Sequence, residues 1–430
     1  MSIYDNAGVA LIPSGTKASK LYSVLPANGD GDFTHDRNLT TATRVNKDGF
    51  IEGVAADVPR LDYPLIDGVV QDCPALLLEP SRTNDIQRTE EFDNSYWTKY
   101  DTSVSANQVI SPDGAVTADK LIEDTGTSNH MIGRSFSFTS GTTYAVSVFV
   151  KENGRDLEIA AGNPNVWRGS AKYNLSTGSV KSEDLGTASI ENFGNGWYRC
   201  VLVAEAIATS STNILFKLVS GTSTSYTGDG SSGVYLWGAQ REIGSYPTSY
   251  ISWDGSGTTT RSADVCNSAG TSAEFNDSEG VLFAEIQALA NDSTNRIISV
   301  SDGSGNNRAL IKYDNSSNTI EASLTDGGVD QASLSNSYDI LNTAKISFKY
   351  NSNDFALWVN GFEVDTDSSG ATPSGLDTLN FDNGSGGSDF YGKTKQLMTF
   401  KTALTDSELE TLTSWDSFNA MAKGQLYTIE

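Results

Sequence analysis

From Phe92 onward the chain is written in short alternating runs, each closed by turn formers, and that pattern admits little besides antiparallel β-structure. In TTYAVSVFVK (142–151), Tyr144, Val146, Val148 and Val150 share one face, the period of two expected of a half-buried strand. KYNLSTGSVKS (172–182) reads as strand, Ser-Thr-Gly turn and strand, and GWYRCVLVAEAI (196–207), NILFKLV (213–219) and GVYLWGAQ (233–240) continue the series. Runs of this size, at intervals of about 10–20 residues, predict a two-sheet sandwich or jelly roll. The polar, Gly-rich ISWDGSGTTTRS (251–262) marks a boundary. A second series follows: VLFAEIQ (281–287), RIISVSD (296–302), RALIKYD (308–314), TIEASLT (319–325), AKISFKYN (344–351) and FALWVNGFEVD (355–365). Its last member is a hairpin, with Asn360-Gly361 suited to a type I′ turn.

Two stretches depart from this pattern. Residues 1–90 have little periodicity and many breakers, among them ANGDGDF (27–33) and NKDG (46–49). The Leu76-Leu77-Leu78 run there is cut by Glu79-Pro80, so the segment is expected to wrap another domain or subunit. LTDSELETLTSWDSFNAMA (404–422) is the one helix, with a Thr405/Glu408 capping box and a Leu404 staple to Leu409. Leu409, Leu412 and Trp415 form its apolar stripe. The reading is therefore all-β, with an irregular N-terminal arm (1–90), two β-sandwich or jelly-roll domains (91–255 and 262–422) and one C-terminal helix. A length of 430 residues also suits about three domains.

Charge narrows the partners. With 29 Lys+Arg against 54 Asp+Glu, a net charge of -25 opposes nucleic acid and anionic lipid alike. No apolar run nears the ~18 residues of a membrane span, and MSIYDNAGVALIPSG has no signal-peptide pattern. Cys73, Cys200 and Cys266 are few, distant and odd in number, which reads as reduced thiols made in a reducing cytoplasm.

Enzymatic motifs fail on context. Gly387 to Thr394 fits the Walker A pattern, but KQLMTFK (395–401) after it alternates like a strand where a P-loop needs a helix. Gly228-Asp-Gly230-Ser-Ser-Gly233 likewise runs into a strand and reads as a turn. His35 and His130 are the only histidines, and His130 in NHMIG reads as a strand residue. Neither GxSxG nor HExxH occurs. A glycosidase needs only two carboxylates about 5–9.5 Å apart, which sequence spacing does not reveal. Calcium is open at loops such as that of Asp302 and Asn306, with a solvated turn as the alternative; no cofactor is expected.

Aromatic residues give the binding candidates. Trp197 and Trp237 fall in strongly patterned strands and read as core. Trp167, among the turn formers of GNPNVWRGS (162–170), is the candidate for an exposed ring that stacks on a sugar, with burial as the alternative and Tyr173 close by. Trp358 faces away from Phe355, Leu357 and Val359, onto either a concave binding face or a second core layer.

Several strings also carry a resemblance. ATRVNKDGFIE (42–52), PRLDYP (59–64) and CPALLLEPSRTN (73–84) resemble the N-terminal signature of bacteriophage head-spike, head-fibre and tail-fibre-like proteins. EEFDNSYWTK (90–99), SPDGAVTADKL (111–121), GNGWYRC (194–200) and YLWGAQREIGSYPTSYI (235–251) resemble the carbohydrate-binding-module-like jelly roll that follows it. LWVNGFEV (357–364), FYGKTKQLMTF (390–400) and ALTDSELETL (403–412) are similar to the concanavalin A-like lectin/laminin G superfamily. Where that signature usually continues in an apolar run, this chain has Asn84-Asp85-Ile86-Gln87-Arg88. The resemblance implies a non-enzymatic virion protein at the particle surface, made in the bacterial host cytoplasm. It would be a homotrimer whose arm docks on other virion proteins of the capsid or tail and whose β domains bind host-surface polysaccharide. Capsid decoration without sugar binding and a polysaccharide depolymerase are the alternatives.

Overall fold

The computed structural model describes residues 3–417 and residue 420. The chain is all-β, and its strands build two sandwiches. In the first, Thr98–Tyr100, Met131–Phe138, Ser210–Val219, Asp156–Ala161, Ser170–Asn174 and Ser179–Leu185 form one sheet in that order. Thr102–Ile110, Val116–Glu123, Gly233–Ile243, Thr143–Asn153, Trp197–Glu205 and Thr187–Asn192 form the facing sheet. Tyr144, Val146, Val148 and Val150 enter the core between them as the alternation requires. The other face of Thr143–Asn153 is buried too, because Phe149 packs with Trp197, Trp237, Tyr250 and Ile51 in a second cluster.

The second sandwich sets a five-stranded sheet against an eight-stranded one. The larger sheet runs Phe362–Asp367, Phe355–Val359, Ala344–Asn351, Glu279–Ala288, Gly392–Phe400, Ala75–Leu78 and Arg60–Asp62, and Ala7–Leu11 also pairs with Gly392–Phe400. Three strands of this sheet thus come from the first 90 residues. The Leu76-Leu77-Leu78 run is buried because it pairs on both edges, with Lys393 opposite Leu77 on one side and Arg60 on the other. Phe33–Asp36 pairs with Val265–Asn267, and Arg82–Asn84 with Thr259–Arg261. An irregular sequence folds here because its partners lie elsewhere in the chain.

The hairpin turn at Asn360-Gly361 has φ of 52° and 89°, the left-handed pair that a type I′ turn requires. The string fitting Walker A runs from a loop into the strand Gly392–Phe400 with no helix after it. Asp406–Thr413 is the α-helix and ends at an extended Ser414, before the end of the expected span, of which residues 418, 419, 421 and 422 lie outside the described residues. The capping box is present, and Leu404, Leu409 and Leu412 are buried together. Trp415 lies past the helix end, donating from Nε1 to Asn360 Oδ1 (3.2 Å). Thr405→Ala should cost about 1 kcal/mol of stability by chemical denaturation, since it removes the hydroxyl that accepts from the Glu408 N–H while the backbone half of the box remains. An unchanged midpoint would mean the helix is held by packing alone.

Candidate functional site

What positions the two sandwiches is a buried ionic cluster at their junction with the N-terminal segment. Asp264 Oδ1 accepts from Arg37 Nη1 (2.9 Å) and lies 3.2 Å from His35 Nε2, while Oδ2 accepts from Arg60 and from the Glu79 N–H (2.9 Å). Glu79 Oε2 meets Arg60 (2.6 Å), Arg261 (2.8 Å) and the Ser249 hydroxyl (2.6 Å). All three guanidiniums are fully buried. Burial by itself raises both carboxyls. The Arg261 and Arg60 charges and the Ser249 hydrogen bonds reverse this for Glu79 and hold it at about 2. Arg60, His35 and Arg37 hold Asp264 well below the usual carboxylate range. Next to the cluster, Asn84 satisfies all its capacity: Nδ2 donates to the Ala239 and Ile251 carbonyls, and Oδ1 accepts from the Ile86 and Arg241 N–H groups. Glu79 and Asn84 of the LLLEPSRTN string thereby knot the N-terminal segment to the end of the first sandwich.

This knot leaves a cleft of about 550 Å³ between the sandwiches. One wall carries Tyr63, Leu65 and Ile66 of the N-terminal segment with Gln287, Lys393 and Lys395 of the large sheet; the other carries Ile190, Glu191, Asn192, Phe193 and Tyr198. Backbone contact sets the walls against each other at one point. A Cβ on Gly68 would sit 2.4 Å from Asn192 Oδ1, and one on Gly194 2.6 Å from the Gly68 carbonyl. Both glycines have positive φ, so two tight turns abut where side chains would hold them apart.

The chemistry of the cleft is mixed. Lys393 Nζ lies 3.0 Å from Asp62 Oδ2, with 30% of its side chain exposed. Burial lowers its ammonium, and Asp62 more than offsets that, so it stays charged above its ordinary value. Asp62 Oδ1 is occupied by the Val45 N–H (2.9 Å). Lys395 lies 3.9 Å from Glu285 and is 38% exposed. A second cavity of about 200 Å³ shares Val45, Asp62, Glu191, Phe193 and Lys393 with the first and adds Arg44 and Tyr246. Half-buried rings beside carboxylate, amide and ammonium groups can hold a ligand with apolar faces and polar edges.

The residues singled out from sequence lie elsewhere and in no common site. Trp167, the candidate for an exposed stacking ring, takes the alternative and is fully buried: its ring stacks on Phe138 (5.6 Å, 20°), and Nε1 donates to the Ala204 carbonyl (2.9 Å). The turn formers before it redirect the chain inward, where Trp167 bridges Ala206. Gly169 leaves room for the ring against its own backbone, since a Cβ there would come within 2.5 Å of it. Tyr173 is buried in the same core, donating to the Val201 carbonyl (2.6 Å). Trp358 lies in the layer under the helix with Leu404, Leu409 and Leu412, so its face is a second core layer. None offers a ring to a sugar. His130 sits between strands, its nitrogens 2.9 Å and 3.2 Å from the Asp101 and Tyr226 carbonyls. In the loop considered for calcium, Asp302 Oδ1 accepts from Ser304 and Oδ2 from Asn307, which is turn chemistry. Among the described residues no three His, Cys, Asp or Glu side chains cluster as metal ligands would.

The parts of the cleft are far apart in the sequence, Asp62 and Tyr63 in PRLDYP and Lys393 in the Walker-like run, and no local pattern joins them. No protein-family model matches the chain, and no curated protein does. Among solved structures, the Ruminococcus gnavus IT-sialidase module CBM40 is similar over 32% of this chain and 84% of the module, at 15% identity and a TM-score of 0.29. The same module bound to alpha2,3 sialyllactose gives the same figures. At that distance its ligand does not carry across, and the cleft has to be read from its own residues.

Proposed function

We propose that the protein is a non-enzymatic glycan-binding component of a phage virion, and that the cleft between the two sandwiches is where it holds sugar. The observation that carries the glycan reading is the pairing of the Tyr63 and Tyr198 rings with Lys393, Gln287, Asn192 and Glu191 around one cavity. Aromatic faces cover the apolar C–H faces of a pyranose, and the amides and charges meet its hydroxyls. Binding without cleavage fits Asp62, whose two oxygens are already taken by the Val45 N–H and Lys393, leaving it unsuited to act as a glycosidase acid. The virion assignment rests on the resemblance of residues 42–84 and on an acidic charge that would keep many displayed copies apart. Docking on capsid or tail proteins, trimerisation, and display at the particle surface after synthesis in the host cytoplasm belong to that same reading. Binding would be weak per site and strengthened by multivalency.

The test is binding of labelled protein to candidate host bacteria before and after periodate oxidation of their surface sugars. Periodate-sensitive binding is expected, and Tyr63→Ala with Lys395→Ala should weaken it at least about tenfold while leaving the melting temperature within a few degrees. No binding by a folded sample would turn the assignment toward capsid decoration without sugar, and periodate-resistant binding would overturn the glycan reading.

A further inference from the structure

We propose, building on the glycan reading, that the cleft continues past Phe193 into a third cavity and takes an internal run of a polysaccharide chain, not a chain end. The third cavity, about 470 Å³, lies between Phe50 at the turn of the Ala42–Val45/Ile51–Val54 hairpin and the end of the strand Thr102–Ile110 with Ser111 and Pro112 of the turn after it. Phe193 lines this cavity and both of the others. The hairpin follows the same course on the opposite side, with Val45 lining the first two cavities, Ile51 the second and Phe50 the third. The three spaces therefore adjoin one another around Phe193.

Each space repeats the same chemistry. The first has Tyr63 and Tyr198 beside Lys393 and Asn192; the second has Phe193 and Tyr246 beside Arg44. The third has Phe50, with Lys151 and Asn195 at its rim. Lys151 Nζ gives one hydrogen bond to the Asn195 carbonyl (2.7 Å), leaving further donors, and the exposed Asn195 side chain bonds nothing among the described residues. Exposed residues bound the spaces at two places, Thr177 and Asp67 at one and Asn195 at the other. Adjoining spaces that each carry a ring and polar groups, and that reach exposed residues at two separate places, suit a polymer passing through; a chain-end reader needs a closed pocket.

The experiment uses surface polysaccharide stripped from the bound bacterium, partly hydrolysed, separated by length and titrated in excess so that each chain meets one protein molecule. Affinity should rise about tenfold from the shortest binding fraction to the longest. Phe50→Ala should remove that gain and leave short fragments bound as before. Asn195→Gly, at an exposed position whose φ of 53° glycine adopts freely, should reduce the gain in the same direction without a packing loss. Length-independent affinity, or variants that weaken short and long fractions equally, would overturn the extended cleft while leaving glycan binding intact. No binding by any fraction would remove the glycan reading and this inference together.

Discussion

Asp264→Ala is expected to destabilise the protein by about 3–5 kcal/mol, read as a shifted denaturation midpoint. The carboxylate takes hydrogen bonds from Arg37, Arg60 and the Glu79 N–H. Removing it leaves the buried Arg37 guanidinium with the Val58 and Ala55 carbonyls as its partners and Arg60 and Arg261 sharing Glu79, and an uncompensated buried charge is far costlier than a lost surface pair. Asp264→Asn keeps the shape and loses the charge, so it should recover only a small part. A near-neutral Asp264→Ala would show that water reaches the cluster and that it does not hold the sandwiches together.

The same cluster sets an acid limit. Both Glu79 and Asp264 have folded-state values depressed below their unfolded ones, so their contribution is complete above the ordinary carboxylate range and is lost as pH falls. For Glu79 the window lies between 4.5 and about 2. Glu90, Asp119 and Glu285 are shifted the other way by burial, and their protonation partly offsets the loss at the start of the descent. Stability measured by urea titration should therefore hold to mildly acidic pH and then fall steeply below about 4. A fall already under way near neutrality would contradict this assignment.

Trp167→Ala should cost about 3–5 kcal/mol. The substitution empties the space against Phe138 and leaves the Ala204 carbonyl without its indole donor. Trp167→Phe retains the ring contact and should cost less, roughly the 1–3 kcal/mol of an unsatisfied buried acceptor. A binding defect with an unchanged midpoint would instead put Trp167 on the surface.

How much of this was legible depends on the range of the signal. The alternation of Tyr144, Val146, Val148 and Val150, the Asn360-Gly361 turn and the Thr405/Glu408 box act within a few residues, and each is where the sequence predicts it. The failures occur where a local cue has a distant answer. Turn formers around Trp167 announced a loop correctly, but whether its ring faced water depended on Ala204 and Ala206, on a strand and connection later in the chain. The helix pattern runs on through Trp415 because periodicity says nothing of a side chain that Asn360 and Lys345 hold beyond the helix end.

The sequence by itself determined that the chain is all-β, with short strands, tight turns and a capped helix, because period-two patterning and turn chemistry are properties of neighbouring residues. Tertiary structure alone decided that the first 90 residues complete the second sandwich, that Arg60 meets Asp264 from 204 positions away, and that Asp62 and Lys393 share a cleft. Strand pairing and ion pairing act through space, and a buried charge selects whichever partner the fold brings within a few ångströms, however far away it lies in the chain.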